Sequence, residues 1–190
     1  MLLSAVNERG AECPAMHIKL KRAPGLYLTG FMGSGKTTVC QMVAEKLGWD
    51  FSDLDTVVER TEGSPVPTIF ALQGEEVFRK METVALKKLV AGIERGNPTV
   101  VALGGGAILA QENFDLLATA GLTIWLDCSF ETALKRVATE GGRPLAHDPL
   151  RFRQLYEDRR IAYARADYRV DAEAGPEAVA SAILGLPIWK

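Results

Sequence analysis

Short strand-like segments alternate with longer segments of helical character along most of this chain. The run from Thr99 to Leu103 is almost continuously apolar, which is typical of a parallel strand covered on both faces. Strands are predicted at residues 25–29, 49–54, 99–103, 122–126 and 168–171. Helices are predicted at residues 38–47, 65–74, 75–93, 111–118 and 130–140, from 149 onward, and at 176–184. This alternation predicts one α/β domain with a five-stranded parallel sheet flanked by helices in three layers.

Three of the predicted helices carry recognisable start signals. Ser64 precedes Pro65, which favours an N-cap followed by a proline at the first helical position. Ser129 is the predicted N-cap of the helix that ends near residue 140, and Asp148 caps the helix that begins at Pro149.

The helix predicted for residues 75–93 has one apolar stripe. It is formed at three- and four-residue spacing by Val77, Met81, Val84, Ala85, Leu89 and Val90. Arg79 and Glu82 lie off that stripe and are three residues apart, so they can pair with each other. In most helices such a pair is only a solvent-side contact worth a few tenths of a kcal/mol, on the order of 0.3.

The segment from Gly30 to Thr37 has the spacing G-x-x-x-x-G-K-T of a phosphate-binding loop, between a predicted strand and a predicted helix. Its glycines allow backbone N–H groups to point at phosphate oxygens. Lys36 would lie along the β- and γ-phosphates, and the Thr37 hydroxyl would bind Mg²⁺ at a helix N-terminus that favours anions. A chance glycine-rich turn is the alternative, against which the strand–loop–helix context argues.

Two further features follow predicted strands at the end where doubly wound sheets bind ligands. Asp53 and Asp55 are two apart, so on an extended chain both carboxylates would point the same way and assist Mg²⁺. A pair of surface acids near a turn is the other interpretation. Gly104–Gly106 suit a close approach of backbone to a ligand, although a flexible strand-to-helix turn would also tolerate them.

Residues 141–150 have no period and carry glycines at one end, which predicts a lid over a nucleotide. Within this lid, Arg143 is the candidate residue for neutralising charge on the transferring phosphate. His147 is interpreted as an exposed loop histidine rather than a base.

The helix that follows the predicted lid interleaves several arginines with acids. This pattern favours a solvated face over a nucleic-acid patch.

Composition restricts the class of ligand. The 190 residues are 47% hydrophobic and 24% charged with a net charge of −2, which is ordinary for a soluble domain and argues against a nucleic-acid surface. No apolar run reaches the roughly 20 residues that span a bilayer, so small-molecule ligands are expected.

The cysteines and the N-terminal segment indicate where the protein works. Cys13, Cys40 and Cys128 have no metal or redox spacing and indicate reduced thiols in a cytoplasmic protein. Residues 1–24 lack the apolar core of a signal peptide and are interpreted as a loose extension.

These motifs together closely resemble the shikimate kinase family over about residues 25–185. The resemblance is carried by the phosphate loop, Asp53-Leu54-Asp55, Phe78-Arg79 with Glu82, Gly104-Gly105-Gly106, Arg143-Pro144-Leu145, and Asp158-Arg159 with Tyr163. It implies a fold like that of nucleoside monophosphate kinases. The enzyme is expected to be a monomer. The implied reaction transfers the γ-phosphate of MgATP to the 3-hydroxyl of shikimate, in aromatic amino acid biosynthesis.

The resemblance also implies a role for each matching residue. ATP contacts would fall on Gly33, Ser34, Gly35, Lys36, Thr37, Thr38, Arg136, Arg143 and Pro176. Substrate contacts would fall on Asp55, Arg79, Gly104, Gly105, Gly106 and Arg159, with the two arginines holding the carboxylate and Glu82 orienting Arg79. Thr37 and Asp53 would hold Mg²⁺, and Lys36, Asp55 and Arg143 would act on the transferring phosphate, with Asp55 as a general base.

One departure leaves the second carboxylate-binding arginine open. The family usually follows it with x-Pro-Leu-Tyr, whereas this chain has Ile161-Ala162-Tyr163 after Arg159 and Arg160. Counting four residues back from the tyrosine selects Arg159, and Arg160 remains an alternative.

Two rival functions are compatible with parts of this pattern. A kinase for another hydroxylated acid, such as gluconate, would also use an arginine pair, but the D-x-D motif and the triple glycine favour shikimate. A nucleotide-gated regulatory module is a second rival, because related domains are also fused to DNA-binding domains. The 24 residues before the domain are too few for a helix-turn-helix domain, which favours the enzyme.

Overall fold

The computed structural model describes residues 25–140 and 148–189, which form a parallel sheet flanked by helices. Its strands are β1 (Gly25–Thr29), β2 (Asp50–Asp53), β3 (Thr99–Ala102), β4 (Gly121–Asp127) and β5 (Tyr168–Asp171). They lie in the order β2-β3-β1-β4-β5, and every pairing is parallel. The predicted fold class is therefore confirmed.

Helices cover both faces of this sheet. They are α1 (Lys36–Leu47), α2 (Leu54–Glu62), α3 (Val66–Ile93), α4 (Gln111–Ala120), α5 (Phe130–Glu140), α6 (Pro149–Tyr163) and α7 (Pro176–Leu184), with short 3₁₀ turns at Ala107–Leu109 and Pro187–Trp189. Successive residues of β1 face opposite cores, because side chains alternate along a strand. Leu26 and Leu28 pack with α1, α5, α6 and α7, whereas Tyr27 packs with α2, α3 and α4.

The register of the sheet brings the chemical motifs to one edge. Leu28 of β1 lies in register with Ala102 of β3, which in turn pairs with Asp53 of β2. The phosphate loop, Gly104–Gly106 and the start of α2 therefore leave the sheet side by side.

Helix α2 was not predicted, and it changes the geometry of the two acids. Asp53 has β-region backbone angles and caps the helix, because its Oδ1 accepts hydrogen bonds from the N–H groups of Asp55 at 3.0 Å and Thr56 at 3.4 Å. Asp55 therefore lies in the first helical turn. The expectation of two carboxylates on one face of an extended chain is wrong.

Helix α3 breaks where glycine predicted a break. Gly74 has a φ of 81° and a ψ of 171°, which separates a first segment from the long second one. The predicted start is wrong by one position, because the helix begins at Val66 and not at Pro65. The N–H of Val66 donates to the Glu59 carboxylate at 2.9 Å rather than to Ser64.

The predicted apolar stripe of α3 is also displaced. Val84 is 51% exposed, whereas the buried face consists of Phe78, Glu82, Ala85, Leu86, Val90 and Ile93, together with Ile69 of the first segment. A charged residue, Glu82, thus occupies one of the core-facing positions of the helix. The prediction that Glu82 lies off the buried face is therefore wrong.

The other boundaries differ by small amounts. Helix α1 starts at Lys36, two residues before its predicted start, and β4 is longer than predicted at both ends. The predicted N-caps at Ser129 and Asp148 are confirmed, since their side chains accept from the N–H groups of Thr132 at 3.2 Å and Arg151 at 3.0 Å. The predictions for residues 1–24 and 141–147 lie outside the described residues.

Within the described ranges, no helix combines the length and apolar character needed to cross a membrane. Cys40 and Cys128 are buried free thiols, and burial raises the pKa of both.

Candidate active site

The phosphate loop packs so closely against its neighbours that a side chain at Gly30 or Gly33 would clash with them. Gly30 and Gly33 have φ values of 147° and 78°, which favour glycine. A Cβ at Gly30 would lie 2.6 Å from the Leu126 carbonyl oxygen, and one at Gly33 would lie 2.7 Å from the Ala133 carbonyl oxygen. The loop therefore packs directly on β4 and α5.

Lys36 places a cation against this loop. Its Nζ donates to the carbonyl oxygens of Gly30 and Phe31, both at 2.9 Å, and to Ser34 Oγ at 3.4 Å. Lys36 is also the first residue of α1, and it lines one cavity together with Thr37 and Thr38 of the first helical turn, where backbone N–H groups have no partner within the helix. Both features favour a phosphate there.

Thr37 and Asp53 bring hard oxygen atoms together beside the loop. Thr37 Oγ1 donates to Asp53 Oδ2 at 2.8 Å, while the other oxygen of Asp53 caps α2. A hydroxyl and a carboxylate next to a phosphate site are ligands that suit Mg²⁺, which prefers few protein oxygens plus phosphates and water. These two residues thus fit the predicted metal site.

The triple glycine makes room for charged side chains. A Cβ at Gly104 would lie 2.5 Å from Glu82 Oε1 and 2.7 Å from Asp55 Oδ1, and one at Gly106 would overlap the guanidinium of Arg79. None of the three glycines has a positive φ, so space, not backbone conformation, is what requires them.

Arg79 lies between two carboxylates. Its Nη1 donates to Glu82 Oε2 at 2.8 Å and its Nη2 to Glu75 Oε1 at 3.1 Å. Its guanidinium carbon lies 5.9 Å from the ring centre of Phe70 and 5.2 Å from that of Phe78. Burial raises the pKa of Glu82, and the nearby Arg79 opposes that shift. The solvent-side interpretation of the Arg79–Glu82 pair is therefore wrong, because Glu82 is 0% exposed.

The two neighbouring arginines of α6 lie in different environments. Arg159 is 9% exposed, and its Nη1 would be 3.2 Å from a Cβ placed on Gly105. Its guanidinium carbon lies 5.9 Å from the ring centre of Phe31 in the phosphate loop. Arg160 instead donates to Asp127 at 2.7 Å and 3.3 Å, in a separate cleft of about 510 Å³. The geometry therefore favours Arg159 at this site.

One cavity of about 150 Å³ joins the phosphate loop, the acids and Arg159. It is lined by Met32, Gly33, Gly35, Lys36, Thr37, Thr38, Asp53, Asp55, Leu103, Gly105 and Arg159. Nine of these eleven residues belong to the predicted site. Gly104 and Gly106 continue the same loop towards Arg79.

Arg136 on α5 connects the phosphate loop to the segment before Pro176. Its Nη1 donates to the carbonyl oxygens of Ala172 at 3.0 Å and Gly33 at 3.4 Å, and its Nη2 donates to those of Glu173 at 3.1 Å and Ala174 at 3.2 Å. Gly175 and then Pro176, the first residue of α7, follow Ala174. Arg143 lies outside the described residues.

Glu173 is a structural partner that no local sequence signal reveals. Its carboxylate accepts hydrogen bonds from the N–H of Ser129 and from Thr132 Oγ1, and these bonds lower its pKa. It therefore caps α5 from a segment 44 residues away from Ser129. Only the tertiary fold brings the two together.

The parallel sheet, the phosphate loop after β1 and the acids beside it define a P-loop kinase. The chain belongs to the shikimate kinase family, whose family model, described as "Shikimate kinase", matches residues 32–186.

Curated relatives and solved structures agree with this assignment. The shikimate kinases of Moorella thermoacetica and Gloeobacter violaceus are both 44% identical, over 84% of this chain and 91% and 89% of their own lengths. The structure of the Acinetobacter baumannii shikimate kinase in complex with shikimate matches with a TM-score of 0.78 and 35% identity, covering 90% of this chain and 95% of that one. A Sinorhizobium meliloti gluconokinase, at 18% identity and a TM-score of 0.55, shares the fold alone.

Proposed function

We propose that this protein transfers the γ-phosphate of ATP, with Mg²⁺, to the 3-hydroxyl of shikimate, giving shikimate 3-phosphate and ADP for aromatic amino acid biosynthesis. The observation that carries this proposal is the placement of two guanidinium groups against Gly105 and Gly106, with Asp55 against Gly104, beside a phosphate loop. Membership of the shikimate kinase family supports it independently.

Arg79 and Arg159 hold the carboxylate of the acceptor. Planar guanidinium groups bind a carboxylate with two parallel hydrogen bonds, which fixes its orientation as well as its position. The buried carboxylate of Glu82 holds Arg79 in place at 2.8 Å. Once the carboxylate is fixed, the ring hydroxyls lie against Asp55 and the backbone of Gly104–Gly106, and one of them faces the phosphate loop.

Lys36 and the loop N–H groups bind the phosphates, and Thr37 and Asp53 hold the metal. Mg²⁺, when bound, supplies positive charge that neutralises the phosphate oxygens. Phosphoryl transfer has a loose transition state, so positioning and charge neutralisation provide most of the rate enhancement. Asp55 as a general base therefore matters less than its contact with the acceptor.

The remaining assignments extend this proposal to the whole nucleotide. Ser34 and Thr38 contact its phosphates, Arg136 and Pro176 flank the adenine, and Arg143 neutralises charge on the transferring group. The protein works as a cytoplasmic monomer on small molecules, without nucleic-acid or membrane partners.

A coupled assay of ADP release tests the proposal. With MgATP, release should depend on shikimate and should be low with quinate, gluconate or no acceptor. Lys36→Ala should abolish it, whereas Lys46→Ala, on an exposed lysine of the same helix, should leave it unchanged. Binding of shikimate without turnover would instead indicate a regulatory module, and a response only to gluconate would overturn the substrate.

A further inference from the structure

The hydroxyl of Tyr163 meets two groups of the acceptor pocket at once. Tyr163 is the last residue of α6 and is 1% exposed, with its ring 6.2 Å from that of Trp125. Its hydroxyl donates to the carbonyl oxygen of Gly105 and interacts with Arg159, one turn earlier on the same helix. The hydroxyl therefore ties α6 to the triple-glycine loop.

Both of these groups need an external support. Three consecutive glycines have more conformational freedom than any other tripeptide, so the loop gains order when one of its carbonyls is held. Arg159 is buried, yet its Nε has no hydrogen-bond partner among the described residues. A long side chain with an unpaired nitrogen depends strongly on the contacts that it does make.

We propose that Tyr163 is a positioning residue, whose hydroxyl holds Arg159 and Gly105 where the acceptor's carboxylate binds. This inference rests on the proposed function, because it requires an acceptor that carries a carboxylate. It adds a residue that does not itself touch the acceptor.

The hydroxyl keeps its proton under any ordinary assay condition. Burial raises the pKa of Tyr163 to about 12, and Arg159 opposes the shift only in part. The O–H group can therefore donate to the Gly105 carbonyl across the neutral range, and the effect of removing it should not depend on pH between about 6 and 9.

The same helix offers a matched control. Tyr156 lies two turns earlier on α6 and is 5% exposed. Its hydroxyl donates to the carbonyl oxygen of Cys128 at 2.7 Å and accepts from Arg160 at 2.7 Å. Like Tyr163, Tyr156 therefore contacts one backbone carbonyl and one arginine, but it does so outside the acceptor pocket.

The experiment compares Tyr163→Phe with Tyr156→Phe in the full chain. Wild-type turnover of shikimate is measured first. If the wild-type protein does not phosphorylate shikimate, the proposed function is rejected, and the positioning role of Tyr163 is not what has failed. We expect Tyr163→Phe to raise the KM for shikimate about tenfold, with the KM for MgATP and kcat changed by less than about threefold. Tyr156→Phe should change neither KM.

Two further readouts separate positioning from general loss of structure. Wild-type enzyme should prefer shikimate over its uncharged methyl ester, and Tyr163→Phe should weaken that preference, because the effect passes through Arg159. In an Arg159→Lys background, adding Tyr163→Phe should change the KM for shikimate by less than about twofold. Equal effects of the two tyrosine variants, an unchanged preference for the acid, or full additivity with Arg159→Lys would overturn the proposal.

Discussion

The buried carboxylate of Glu82 is retained at a cost to folding. Burial raises its pKa above the usual glutamate value, so in the folded state it binds a proton more readily than in the unfolded state. Such a group contributes stability when it is protonated, and that contribution is lost as the pH rises through the folded-state pKa. As the pH rises, Glu82 therefore contributes less to the stability of the fold, while its bond to Arg79 still serves the site.

Replacing Glu82 with glutamine should separate these two effects. Glu82→Gln keeps the side-chain volume but leaves Arg79 without its buried anion, so we expect the KM for shikimate to rise about tenfold. In urea unfolding, wild type should gain stability relative to this variant as the pH falls from 8 towards 5. Glu76→Gln, at an exposed position paired with Lys80, is the control and should leave both KM values unchanged. A stability difference that does not depend on pH would contradict the buried-carboxylate argument.

Gly106 allows a second test, because a methyl group there would occupy the position of the Arg79 guanidinium. The guanidinium is the end of a flexible side chain, so Gly106→Ala should displace Arg79 without unfolding the protein. We expect a rise of about tenfold in the KM for shikimate, with little change for MgATP. Gly92→Ala, whose nearest contact is Arg95 at 4.0 Å, should leave kinetics unchanged and stabilise the helix by about 0.5–1 kcal/mol. Equal kinetic effects of the two alanines would contradict the role of space at Gly106.

At the scale of elements, helix α2 and the orientation of α3 show what a local pattern can and cannot reveal. Asp53 followed by Leu54 and Val58, both buried, is an N-cap with a four-residue apolar spacing, so α2 was predictable in principle. The orientation of α3 was harder to predict. Glu82 faces the core because Arg79 and the space at Gly104 accommodate it, and neither contact can be read from the helix itself.

Helix α5 and the segment after β5 form a unit that Arg136 joins to the phosphate loop. The guanidinium reaches four carbonyl oxygens, whereas a lysine ammonium would reach only some of them. We expect Arg136→Lys to raise the KM for ATP about tenfold and to leave the KM for shikimate within about twofold. Arg95→Lys, at an exposed position, is the control. A larger effect on shikimate than on ATP would contradict this assignment to the nucleotide side.

At the scale of the whole molecule, a motif could be predicted from the sequence when the spacing of its residues is enough to specify its chemistry. The phosphate loop is such a motif. The choice between Arg159 and Arg160 was not predictable in the same way. It depends on which face of α6 meets Gly105, and on the presence of Asp127 at the end of β4 to pair with Arg160. Contacts between elements far apart in sequence decide such questions, so the fold is needed to answer them.

Because the site is assembled from the ends of β1, β2 and β3 together with α6, each ligand should stabilise the whole domain on its own. A ligand at about 100 times its Kd contributes about 2.7 kcal/mol, which for a domain of this size corresponds to a rise in Tm of about 5–10 °C. In a thermal-shift experiment, Lys36→Ala should lose the rise caused by MgADP and keep the rise caused by shikimate. Arg79→Ala should show the reverse. If either variant lost both responses while its Tm without ligand matched wild type, the phosphate and carboxylate groups would not bind at separable parts of one site.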